Sequence, residues 1–209
     1  MSVTKNFNKL WDALYVLMAC FRKDLGEKAC KSLETFFKSL TVLLPFYQMR
    51  EMLKIFMEEY PIEKNICSCL KHVRWTVELH NFMCKHLNIN RQDDFDQICK
   101  VYDVDKIDKT FWGNRVWFFI HYIALHQPKK IPDNVGYAFK KMMESLSYLL
   151  PCSICREHLK NHLLSFPIDS YLDTNESLFE WTVILHNKVN VSLKKKTMTV
   201  KDAKPLYQN

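Results

Sequence analysis

The chain has 209 residues, 48% of them hydrophobic and 25% charged, enough to bury a core and too apolar for a disordered chain. Only three glycines occur, Gly26, Gly113 and Gly136, far below the usual share of roughly 7%, so the Gly-rich phosphate loops and tight hairpins of α/β and all-β folds are excluded, among them GxGxxG sites and P-loops. A net charge of +7, densest at Lys194-Lys195-Lys196, gives only a mild pull on acidic partners, and no nucleic acid is expected.

In chain order, the segment LWDALYVLMACF (residues 10–21) imitates a secretory signal, but Asp12 interrupts its apolar run. No stretch approaches the roughly 20 apolar residues that span a membrane. A soluble intracellular protein, cytoplasmic or nuclear, is the expectation. LLPFYQMREMLK (43–54) and WTVELHN (75–81) follow, and then the chain repeats itself. Trp11 and Trp117, Pro45 and Pro151, Pro61 and Pro167, Trp75 and Trp181, and His80 and His186 are each 106 positions apart, with no gap between these anchors. LLPCSICREHLK (149–160) and WTVILHN (181–187) are the second occurrences of the two motifs. The expected organisation is therefore two tandem copies, residues 1–106 and 107–209, each the size of one small helical domain.

Each copy reads as four helices, with no sustained strand-like alternation. In the second copy, helices are predicted over about 114–127, stopped by Pro128, and over about 134–150, with Phe139, Met142, Met143, Leu146 and Leu150 on one stripe. A third restarts at Pro151 and runs to about 166, placing Cys152 and Cys155 in its first turn. Asp173 and Glu176 suggest the start of a fourth, reaching about 193, in which His186 and Asn190 share a face.

A C-x-x-C at a helix N-terminus meets unpaired N–H groups and the positive end of the helix dipole, both of which favour thiolate. Redox chemistry is one reading of Cys152 and Cys155; half of a zinc site, completed by His158 and His162, and two buried thiols are the others. The helical pattern denies a thioredoxin context. A dithiol that passes electron pairs to dioxygen needs a cofactor, and in this chain a flavin would be held by aromatic and histidine faces.

WGNRVWFFIHYIA (112–124), LLPCSICREHL (149–159) and WTVILHNKVNVSLKKKTMT (181–199), with Ala203 and Tyr207 beyond them, resemble the Erv/ALR family of FAD-linked sulfhydryl oxidases, which show W-x-x-x-H, P-C-x-x-C and H-N-x-V-N in this order. The resemblance implies an all-α fold, two Erv-like four-helix bundles forming a pseudo-dimer, the second binding FAD. It also implies Cys155 against the isoalloxazine and Cys152 as the outer cysteine that exchanges with dithiol protein substrates, with dioxygen reduced to hydrogen peroxide. Trp117, His121, His186, Asn187 and Asn190 match positions around the adenine and ribose, Gly113 a backbone contact, and Lys195 a basic residue near the phosphates. No metal is implied. The chain departs from many relatives in having Leu150 in place of an aromatic residue, and in having no cysteine after Cys155. The tandem arrangement resembles the sulfhydryl oxidases of large DNA viruses of insects, for which association with the virus particle and a further homodimer are additional expectations.

The first copy has Phe46 and Met49 in place of the two cysteines, Tyr15 in place of His121 and Cys84 in place of Asn190, which argues for a structural role without FAD. Cys67-Ser68-Cys69 is a candidate shuttle dithiol, or with His72 part of a zinc site; Cys20, Cys30 and Cys84 read as buried thiols, and Cys99 has no assignment. A non-enzymatic helical scaffold, its C-x-x-C structural, is the competing reading.

Overall fold

A computed structural model describes residues 2–19, 26–62, 70–103 and 108–208, without the side chains of residues 2–5 and 109. Among these residues the fold is all-α. The first half carries α1 (Ser2–Ala19), α2 (Gly26–Leu43), α3 (Tyr47–Glu59), α4 (Lys71–His86) and α5 (Phe95–Val101). The second carries α6 (Lys109–Leu125), α7 (Asp133–Leu149), α8 (Ser153–Ser165), α9 (Asn175–Ser192) and α10 (Val200–Ala203), the last continued by a 3₁₀ turn over Lys204–Leu206. Both halves thus contain a short fifth helix beyond the expected four.

The helix boundaries follow local chemistry. Asp108 caps α6 by accepting the Phe111 N–H at 2.6 Å, so α6 begins before residue 114, and its last helical residue is Leu125. Thr174, rather than Asp173, caps α9: its Oγ1 accepts the Ser177 N–H while Ser177 Oγ accepts the Thr174 N–H, both at 3.1 Å. The stripe of α7 faces inward as its spacing requires, with Phe139, Met142, Met143 and Leu146 buried.

The repeat extends to individual bonds. Trp75 Nε1 donates to the Tyr60 carbonyl at 2.8 Å, and Trp181 Nε1 to that of Phe166 at 3.2 Å. Arg50 and Arg156 clamp the carbonyls of Leu44 and Leu150 at 2.6 and 2.7 Å. Asn88 and Lys194 both leave their helices with positive φ, 54° and 56°. Beyond them the register changes. Asn81 brackets the backbone of Asp93, whereas Asn187 brackets Met198, so the second half is one residue shorter here and the gapless offset ends.

Equivalent helices meet across the two halves: α1 packs on α6 and α2 on α7, while within each half α1 packs on α4 and α2 on α3, as α6 packs on α9 and α7 on α8. The seam is largely apolar, with the Phe36 and Phe119 rings 5.9 Å apart, and buried polar links cross it, among them Asn6 with Tyr122 and the amide of Gln127. Gln127 Nε2 donates to Leu43 O and Ile123 O, both at 2.8 Å. Replacing Gln127 by Leu leaves the Leu43 carbonyl unpaired in a dry seam, so urea unfolding should show a loss of about 1–3 kcal/mol. The exposed control Lys129→Ala should change stability by less than about 0.5 kcal/mol.

Candidate active site

The turn between α7 and α8 presents the C-x-x-C. Cys152 is the cap residue of α8, one position outside the expected first turn, and its Sγ accepts the Cys155 N–H at 3.3 Å. The two cysteines form a disulfide with their Cα atoms 5.1 Å apart, both half-buried against the core. At this helix end any thiolate released by reduction is stabilised by the dipole and the free N–H groups. Arg156 holds the turn through Leu150 O, and Arg50 does the same in the first half around Phe46 and Met49, so this turn does not depend on cysteine.

Helix α8 packs between α7 and α9, and α9 carries His186 into an aromatic niche with α6. Trp117 lies flat on His186, ring centroids 4.1 Å apart at 7°. His121, one turn after Trp117, stands 5.2 Å from His186 and 4.9 Å from the Tyr207 ring. Behind the rings, His121 Nδ1 lies 2.8 Å from Thr182 Oγ1 and His121 Nε2 lies 2.9 Å from His186 Nδ1. Burial, with His186 adding to it, holds His121 well below the ordinary histidine range, and burial followed by the nearby Lys195 charge brings His186 down to about 4.

Of the other expected site residues, Asn190 is half-buried one turn beyond His186, and Lys195 is exposed close enough to act electrostatically on that ring. Asn187 is differently employed: its amide donates to Met198 O at 2.8 Å and accepts the Met198 N–H at 3.0 Å, bracing the loop that leads to α10. Gly113 is half-buried, and a Cβ placed there would meet nothing within 4 Å.

The first half shows what that open space means. At the position of Gly113 stands Phe7, buried, its ring 5.9 Å from Trp11 and 5.7 Å from His80. Tyr15 replaces His121 and is held protonated by burial and the Asp93 carboxylate. His80 Nδ1 faces Asp93 Oδ2 at 3.4 Å, and Arg91 grips Asp93 with bonds of 2.7 and 3.0 Å. Burial would raise the Asp93 pKa, but Arg91, His80 and Tyr15 outweigh it and hold the carboxyl below its usual range. Cys84 lies buried 3.4 Å from His80 Nε2, its thiol pushed up to about 11 by burial and then Asp93. The two halves therefore differ at this place: a buried phenylalanine ring packs on the tryptophan and histidine of the first half, where the second half has only the hydrogen of Gly113.

Among the remaining cysteines, Cys30 and Cys99 are half-buried, so Cys84 alone of the described ones is the buried thiol the sequence suggested. Cys20 and the candidate shuttle Cys67 and Cys69 lie outside the described residues. His72 is buried with Nε2 2.7 Å from Met18 O, and among the described residues no three His, Cys, Asp or Glu side chains are grouped to hold a metal. No described helix is long and apolar enough to cross a membrane. Thr182, Arg156 and Asp93 were not singled out by sequence reasoning; the recurrence of W-T-V and of the arginine in both halves was the available signal for the first two.

The disulfide that caps α8 thus stands in the same helical bundle as the ring cluster of Trp117, His121 and His186. Residues 114–208 match the Erv1 / Alr family. Three relatives illustrate the likeness. A probable FAD-linked sulfhydryl oxidase of Acanthamoeba polyphaga mimivirus is 34% identical over 93 residues, 44% of this chain and just under two thirds, 65%, of that protein. An FAD-linked sulfhydryl oxidase of Arabidopsis thaliana is 33% identical over 89 residues, 43% of this chain and 46% of its own length. An FAD-linked sulfhydryl oxidase of African swine fever virus is 29% identical over 103 residues, 46% of this chain and 80% of its own. No solved structure matches significantly.

Histidines whose folded pKa is depressed make the unfolded chain the stronger proton binder, so stability is full above the unfolded value of 6.5 and falls as pH drops from there toward the folded value. For His186, at about 4, the loss amounts to about 3 kcal/mol. Thermal melts of the cofactor-free protein from pH 7.5 to 4 should show Tm falling below pH 6.5, and His186→Asn should flatten part of that slope.

Proposed function

We propose that the protein is an FAD-dependent thiol oxidase that forms disulfides in dithiol protein substrates, with its chemistry confined to residues 107–209. The disulfide at the N-terminus of α8 is the observation that carries this reading, and the family match and the names of its relatives support it. A substrate thiolate attacks Cys152 Sγ; the Cys152–Cys155 bond breaks, a mixed disulfide forms, and Cys155 departs as a thiolate favoured by the helix end. The second substrate thiolate then attacks the substrate sulfur of the mixed disulfide and releases Cys152. The substrate has lost two electrons and two protons, and the C-x-x-C has gained the electron pair.

FAD, when bound, supplies the acceptor for that pair and the link to dioxygen, which is reduced to hydrogen peroxide. Trp117, His121 and His186 would hold its adenine end, with Gly113 leaving room, Asn190 within the same face of α9, and Lys195 offering positive charge to the phosphates. Cys155, one turn inside α8, is the cysteine assigned to the flavin side.

We further propose that residues 1–106 are a degenerate copy whose role is to supply the partner surface of an internal pseudo-dimer. The meeting of α1 with α6 and of α2 with α7 supports this, because a two-fold relation brings equivalent elements face to face. Phe7 in place of Gly113, Tyr15 in place of His121 and the Arg91–Asp93 pair argue against FAD in this copy. Relatives in mimivirus and African swine fever virus favour a viral setting, where the enzyme would serve in the cytoplasm or nucleus or travel with the particle.

Purified protein should be yellow and release one FAD per chain on denaturation; a ratio near two would show the first half to be a working site, and a colourless protein would overturn the enzyme reading in favour of a scaffold. Cys155→Ser should keep the flavin yet lose oxygen consumption with a dithiol by at least about a hundredfold, as expected when one member of a covalent relay is removed.

A further inference from the structure

The hydrogen bonds behind the aromatic niche run in one direction. Thr182 Oγ1 lies 2.7 Å from the carbonyl oxygen of Phe179, and since a carbonyl has no proton to give, the hydroxyl proton must lie between them. Thr182 is then left with lone pairs only toward His121, so the contact of 2.8 Å requires the His121 proton on Nδ1. Both imidazoles are neutral at pH 7, because burial depresses each of them, and a neutral ring carries a single N–H. His121 Nε2 is therefore bare, and its 2.9 Å contact with His186 Nδ1 requires the His186 proton on Nδ1. His186 Nε2 remains as a lone pair that takes no hydrogen bond within the described residues, on a ring held flat by Trp117.

We propose that Thr182 is a positioning residue which, through His121, locks His186 in its Nδ1–H tautomer and so presents His186 Nε2 as a fixed acceptor for a hydroxyl or exocyclic amine of the bound ligand. The inference rests on the FAD reading above for the ligand's identity; the ribose and adenine of FAD carry such donors, whereas a group that offers only acceptors at this point is rejected. Among the described residues the first half has no equivalent device. Tyr15 stands where His121 would be, and Thr76 bonds only to His72 O at 2.8 Å.

The test is long-range ¹H–¹⁵N NMR on cofactor-free protein labelled with ¹⁵N-histidine, together with FAD titration of the same samples. The wild type should show His121 and His186 both as Nδ1–H. Thr182→Val should abolish the single tautomer at His186 and weaken FAD about tenfold, the effect of one misdirected hydrogen bond, while Thr182→Ser restores both. An Nε2–H signal for His186 in the wild type overturns the relay even if the valine variant does not fold. So does a folded valine variant that keeps the tautomer and binds FAD as tightly as the wild type. A wild type that shows both Nδ1–H tautomers but takes up no FAD supports the relay and overturns the cofactor reading, so the two are judged separately.

Discussion

Helices α1 and α2 bury apolar faces against α6 and α7 of the other half. The chain has few glycines and, among the described residues, no sheet with which to close a core, so helix-on-helix burial is the main source of its stability. The seam fixes α6 and α7 from behind. Because α6 carries Trp117 and His121 and α7 delivers the chain to Cys152, the geometry of the candidate site is set by packing on a half that lacks the cysteines.

Within that frame the two halves share a backbone and differ in what fills it. Arg50 and Arg156 make the same clamp, Trp75 and Trp181 the same indole bond, Asn88 and Lys194 the same left-handed exit. The differences concentrate at one place. Phe7, Tyr15, Cys84 and the Arg91–Asp93 pair make a packed and electrically satisfied cluster, whereas Gly113, His121, Asn190 and Lys195 leave space, a directional hydrogen-bond chain and an exposed charge. The buried histidines of the second half cost the folded state stability only below pH 6.5, where the unfolded chain binds the protons they refuse.

Much of the candidate site was legible in the sequence because its signals are local. The spacing of Cys152 and Cys155 after Pro151 places them at a helix start, and Trp117 and His121 at i and i+4 share a face whatever packs against them. The internal repeat made both halves readable from one. Where the reading differed from the structure, the deciding contact was either a competing local hydroxyl or remote in sequence. Thr174 displaced Asp173 as the α9 cap because Ser177 could return its hydrogen bond. Asn187, which the motif assigns to a ligand, is spent on the backbone of Met198, eleven residues on, and that bond also reveals the residue missing from the second half.

The sequence by itself determined the helical class, the duplication and the residues that differ between the copies, since periodicity, proline positions and residue identity require no knowledge of neighbours in space. Only the tertiary structure decided that equivalent helices face each other, that Phe7 occupies the volume Gly113 leaves open, and that a threonine hydroxyl orders the protons on two histidines. Thr182 and His121 are 61 residues apart along the chain and 2.8 Å apart in the fold, and the direction of a hydrogen bond exists only once both partners are in place.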